Sequence, residues 1–166
     1  EVIEEMITDK FLCHIGCQTG VVTEEFSKKC KKILAIDIEE SAIQKTSKRN
    51  YHCPVQIEKI DAIKYLKENT DVSPEVFYLW ANYDAMESWV KKISDIRAGA
   101  IIILGIGLQA AVSPVKNSKP LQLDKAKELA KKYDGKIKLF SFNTQEESRS
   151  RGVGAFGLLI LEAKKI

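Results

Sequence analysis

Apolar positions fall into short continuous runs, separated by stretches in which they recur every three to four residues. This is the pattern of buried strands alternating with amphipathic helices. The runs place strands near 10–15, 32–37, 54–60, 76–80, 99–106, 136–143 and 155–163. VFYLW, residues 76–80, suits a central strand, and AGAIIILGI is the most continuously apolar segment of the chain. Met86, Trp89, Val90 and Ile93 form one helical stripe; Leu123, Ala126, Leu129, Ala130 and Tyr133 form another, closed at Asp134 and Gly135 by a glycine suited to a helix end. EVIEEMITDK reads as the end of a helix feeding the first strand. Alternating strands and helices predict an α/β fold around a parallel sheet. At the end the alternation stops. KIKLFSFNT and FGLLILEAKK are joined only by the polar stretch QEESRSRGVGA, so they are expected to pair antiparallel. GLQAAVSPVKNSKP is the other long loop expected.

At 166 residues, 45% of them hydrophobic, the chain suits a single domain over 1–166 with an adequate core. It opens on Glu1 rather than methionine, so the expectation includes a missing upstream segment. No apolar run approaches the ~20 residues of a membrane span, and no secretory signal pattern is visible, so a soluble, cytoplasmic protein is expected. Cys13, Cys17, Cys30 and Cys53 show neither CxxC pairing nor the histidines of a zinc site, and read as reduced, partly buried thiols. Charge is uneven: residues 1–82 carry 11 Lys or Arg against 14 Asp or Glu, residues 83–166 carry 15 against 9. A basic second half suits an acidic substrate or RNA. Most of its lysines, however, fall on LDKAKELAKKYDGK, where they read as a solvated helix face, and no basic run interleaved with aromatics favours nucleic acid.

The candidate chemistry sits in FLCHIGCQTG, residues 11–20, a buried strand running into a loop with Gly16 and Gly20 at its ends. VVTEEFSKKC follows with a capping threonine and two acids, so the loop opens a helix whose unpaired backbone N–H groups face whatever the loop holds. A bare strand-to-helix turn and a nucleotide cradle both suit such a loop. A dinucleotide fingerprint needs glycines at the first, third and sixth positions, where this chain has Gly16, Gln18 and Val21. No Gly-Lys-Ser/Thr follows, which excludes a P-loop. One unit later, the apolar run Ile33 to Ile36 ends in Asp37, and the strand near Val55 to Ile60 ends in Asp61. In an open parallel sheet both acids arrive at the strand ends where ligands bind.

Gly16-Cys17-Gln18-Thr19-Gly20, a GxGxG loop with its middle glycine replaced, resembles the first motif of the class I S-adenosylmethionine-dependent methyltransferases. The resemblance covers essentially the whole chain, because a final antiparallel strand inserted in a parallel sheet distinguishes that fold from a dinucleotide-binding one. It implies a three-layer αβα sandwich with a seven-stranded, mostly parallel sheet and an antiparallel last strand. It also implies S-adenosylmethionine as cofactor, S-adenosylhomocysteine as product, and a site built from His14, Gly16, Cys17, Gln18, Gly20, Asp37, Ile38, Asp61, Ala62 and Trp80. In that scheme the loop holds the methionine side, Asp37 takes the ribose hydroxyls and Ile38 lies against the adenine face. Asp61 faces the adenine amino group, Ala62 offers its backbone N–H to the ring, and Trp80 walls the pocket. Asp61 equally suits a helix N-cap, and the two roles do not exclude each other.

The chain departs from the family pattern where an acid is usual two residues before the first glycine, at His14, and at the middle glycine, Gln18. Trp80-Ala81-Asn82-Tyr83-Asp84 lacks the Asn/Asp-Pro-Pro-aromatic motif of amino-methylating enzymes. Asn82 and Tyr83 are acceptor-side candidates that equally suit packing or helix capping, and Ser148, Arg149, Ser150 and Arg151 suit a carboxylate or phosphate, or more simply a solvated hairpin loop. A small-molecule methyl acceptor is therefore favoured over RNA. The competing readings are a protein of this fold that binds the cofactor or a partner without catalysis, and an NAD-binding oxidoreductase. Catalytic residues stay unassigned, because transfer from an activated donor needs mainly alignment.

Overall fold

The computed structural model describes residues 2–81, 83–109, 122–141 and 154–164. Seven strands form one sheet: β1 (Phe11–Ile15), β2 (Lys32–Asp37), β3 (Val55–Lys59), β4 (Val76–Trp80), β5 (Ile101–Gln109), β6 (Lys136–Ser141) and β7 (Gly154–Glu162). Among the described residues six α-helices accompany them: α1 (Val2–Ile7), α2 (Val21–Ser27), α3 (Glu40–Thr46), α4 (Ala62–Glu68), α5 (Met86–Ile96) and α6 (Gln122–Tyr133). A short 3-10 turn, Tyr83–Ala85, leads into α5. The sheet order is β3-β2-β1-β4-β5-β7-β6, parallel from β3 to β5, with β7 antiparallel to both β5 and β6. The expected terminal antiparallel strand is present, and β5 runs three residues past the expected end of its strand.

Side chains alternate across the sheet and split the core in two. Cys13, Ile15, Leu34, Ile36, Phe77, Leu79, Ile102 and Leu104 pack with Leu66 of α4, Val90 and Ile93 of α5, and Leu129 and Tyr133 of α6. On the other face Leu12, Ile33, Ala35, Val76, Tyr78 and Ile103 meet Ile7 of α1 and Phe26 of α2, with Ile43 of α3 at the margin. These are the three layers expected. Strands buried on both faces are apolar at every position, which is why they read as continuous runs. Both helical stripes are core-facing: Met86, Val90, Ile93, Ala126, Leu129 and Tyr133 are all buried. The end of α6 differs in detail. Asp134, not Gly135, takes the left-handed conformation, at φ 53°. Gly135 is needed for space, since a Cβ there would come within 2.8 Å of the Ile160 carbonyl oxygen.

The chain runs outward from β1 to β2 and β3, then returns to lay β4 on the other side of β1. Such a reversal opens a crevice at the carboxyl ends of the two central strands. Here those ends are the residues following Ile15 and Leu79, namely Gly16 and Trp80.

Candidate functional site

The loop after β1 is held from beneath by β2: the Gly16 and Cys17 N–H groups both donate to the Ile36 carbonyl, at 2.8 and 3.2 Å. Three of its five residues are left-handed: Gly16 at φ 72°, Gln18 at φ 50° and Gly20 at φ 73°. Gln18 thus takes a conformation that glycine adopts freely, at a conformational cost on the order of 1 kcal/mol. A Cβ on Gly16 would meet nothing within 4 Å, so open space adjoins the loop there. At Gly20 it would come within 3.0 Å of the Thr46 backbone and of its hydroxyl, so that glycine lets α2 and α3 approach.

Asp37 joins the pieces. Its buried carboxylate accepts the Gln18 N–H at 2.9 Å on one oxygen and the Glu39 N–H at 3.0 Å on the other. A carboxylate has about four lone-pair sites, and these two hydrogen bonds occupy two of them. Ile38, the next residue, is 67% exposed and Trp80 is 48% exposed, both large apolar groups at the carboxyl edge of the sheet. Asp61 caps α4, its Oδ1 accepting the Lys64 N–H at 2.8 Å, and Ala62 begins the helix. The cap role assigned to Asp61 is therefore present. Val21 and Val22, in the first turn of α2, add further exposed apolar surface.

His14 lies under the loop rather than in it. It is buried between Phe26 and Tyr78, with ring centroids at 6.0 and 5.2 Å, and its Nδ1 shares a 2.8 Å hydrogen bond with the Thr23 hydroxyl. Burial lowers its pKa to about 4, against a smaller upward pull from Asp37, so the imidazole is neutral at neutral pH. Thr23, expected as a helix cap, is instead a buried residue inside α2, and the N-cap position is Gly20. Its hydroxyl is committed to His14. Burial likewise raises the Cys17 thiol, with the Thr46 hydroxyl 3.7 Å away, making it a packing group rather than a nucleophile.

Several bracing residues carried no local signal in the sequence. The Thr46 hydroxyl donates to the Gln18 carbonyl at 3.0 Å, and Arg49 donates to the Thr19 carbonyl while pairing with Glu24 at 2.7 Å. Both lie at or beyond the end of α3, 28 and 30 residues from their partners, so only the fold brings them together. An open cleft of about 650 Å³ lies beside them, lined by Thr19, Glu24, Lys45, Lys48, Arg49 and Asn50. It lies between the glycine loop, through Thr19, and the end of α3, and its arginine pairs with Glu24. The glycine loop, the Asp37 carboxylate and the exposed Ile38 and Trp80 all lie at the carboxyl edge of the sheet. Asn82, Ser148, Arg149, Ser150 and Arg151 lie outside the described residues, as does the Tyr83 side chain. The four cysteines are unpaired, and no group of three or more potential metal ligands occurs among the described residues. No helix among them is long and apolar enough to cross a membrane.

No protein-family model matches the chain, and no curated protein matches it. Solved structures do. The precorrin 8W decarboxylase of Methanobacterium thermoautotrophicum superposes with TM-score 0.63 at 17% identity, over 96% of this chain and 85% of that one. An O-methyltransferase from Bacillus cereus in complex with SAH gives TM-score 0.66 at 10% identity, over 97% and 77%. An rRNA methylase from Streptococcus thermophilus gives 0.60 at 15%, over 98% and 92%. Strand order, the antiparallel seventh strand and these superpositions agree: the chain has the fold of the class I S-adenosylmethionine-dependent methyltransferases.

Proposed function

We propose that the protein is an S-adenosylmethionine-dependent methyltransferase acting on a small-molecule acceptor. The observation that carries this is the junction at Asp37, where one carboxylate ties the glycine loop to the end of β2 and keeps lone pairs for a diol, beside the open space at Gly16. The residues fit the cofactor. Asp37 would accept the ribose hydroxyls, Ile38 would cover one adenine face, and Asp61 with the Ala62 N–H would meet the adenine edge. Gly16, Cys17, Gln18 and Gly20 would cradle the methionine side. When bound, S-adenosylmethionine supplies a methyl group already activated for displacement, so the protein's task is to align the acceptor and exclude water. Neutral His14 ties β1 to Thr23 of α2 and adds no charge. An RNA acceptor is less favoured, because Lys125 and Lys132 of α6 are engaged by Glu87 of α5 at 3.0 and 2.7 Å.

A second reading, cofactor binding without catalysis, is favoured by one feature: an uncharged imidazole stands where the family has an acid. Incubation with methyl-labelled S-adenosylmethionine and fractionated acceptor pools separates the readings. Label entering a small-molecule fraction is expected. Label only in RNA would overturn the acceptor class, and binding without any transfer would favour the second reading.

A further inference from the structure

The cleft beside the end of α3 carries charge that the fold does not use. Its lining of Thr19, Glu24, Lys45, Lys48, Arg49 and Asn50 sets three cations against one carboxylate. Acids outnumber bases over residues 1–82, 14 to 11, so this local excess of positive charge runs against the composition around it. The one acid is committed, since Glu24 accepts from Arg49 Nη1 at 2.7 Å. Among the described residues no carboxylate lies within ion-pair distance of Lys45 or Lys48.

Cations are common at helix C-termini because they meet unpaired carbonyls there. At the end of α3 those carbonyls are already taken. The Ser47 hydroxyl donates to the Ile43 carbonyl at 2.8 Å and the Tyr51 hydroxyl to the Thr46 carbonyl at 2.7 Å. The Lys48 and Arg49 N–H groups turn back to the Lys45 and Thr46 carbonyls, at 3.3 and 3.2 Å. The two ammonium groups are therefore spare for this helix end. Arg49 is held in place through Nε, which donates to the Thr19 carbonyl, and through Nη1; its Nη2 has no partner among the described residues.

We propose that this cleft binds a small polyanion of the oligophosphate class. Phosphate oxygens are strong acceptors for ammonium groups and for a guanidinium already fixed in orientation. About 650 Å³ is far more than one phosphate fills, and three cations around it suit a charge spread over several linked groups. None of the residues proposed to hold S-adenosylmethionine lines the cleft, so the two ligands have separate contacts.

Titration calorimetry with inorganic tripolyphosphate tests it in wild type, in Lys45→Gln/Lys48→Gln and in Lys127→Gln/Lys131→Gln. All four lysines are exposed, so both double variants should fold, and each removes the same charge. Wild type should bind saturably, and more tightly than it binds inorganic orthophosphate. Loss of Lys45 and Lys48 should weaken tripolyphosphate at least about 10-fold, and loss of the α6 pair less than about 2-fold. No saturable binding by wild type, no preference over orthophosphate, or equal losses in the two variants would overturn the proposal. A short oligouridylate forms the last arm. If it binds through Lys45 and Lys48 while tripolyphosphate does not, the surface is a nucleic-acid face and the proposal also fails.

Discussion

Burial lowers the His14 pKa from 6.5 to about 4, and the sign of the resulting pH dependence follows directly. Between those values the unfolded chain binds a proton that the folded chain refuses, so stability is complete above about 6.5 and declines as pH falls toward 4. From about pH 7 to pH 5 the wild type should lose roughly 2 kcal/mol more unfolding free energy than His14→Asn. Denaturant titrations at the two pH values check this; parallel losses would mean that the imidazole does not resist protonation. Gln18 shows a different residue-scale compromise. Its φ of 50° is one that glycine adopts freely, so the side chain here costs conformational energy. Asp37 then binds the Gln18 N–H at 2.9 Å, which helps hold that conformation.

The strands were legible because parallel strands covered on both faces need apolar residues at every position, which leaves uninterrupted runs such as Ile33 to Ile36. The two longest helices were legible from their stripes. Contacts between elements were not. Nothing near Gly105 in the sequence says that an indole lies over it, since Trp80 approaches from a neighbouring strand. Gly105→Ala should therefore displace the indole or strain β5, lowering stability by roughly 1–3 kcal/mol and shifting tryptophan emission. An unchanged denaturation midpoint and spectrum would show that the close approach is relieved at no cost. Thr23 was misread for a related reason: a threonine near a helix start resembles a cap until β1 places His14 beside it. The lysines of α6 read as a solvated face, and Lys127, Lys131 and Lys132 are exposed, while Glu87 of α5 pairs with Lys132 and with half-buried Lys125. Such exposed pairs contribute about 0–1 kcal/mol each, so they fix charge placement more than stability.

At the scale of the whole molecule, the β1–β4 reversal collects at one edge what the sequence scatters over about 65 residues. The glycine loop, Asp37, Ile38, Asp61 and Trp80 all belong to strand ends or the residues just after them. The placement of the candidate residues was partly legible, because a glycine loop and two acids closing successive strands carry their positions with them. Its braces, Thr46 and Arg49, were not, because α3 reaches back to the loop only in the folded chain. The central claim is that this edge binds an adenosyl sulfonium compound through Asp37. Calorimetric titration of wild type and Asp37→Ala with S-adenosylmethionine, with NAD as the control ligand, tests it most directly. The account predicts saturable binding by wild type, a loss on the order of 100-fold or more in Asp37→Ala, and no heat with NAD. Heat with NAD and none with S-adenosylmethionine would contradict it.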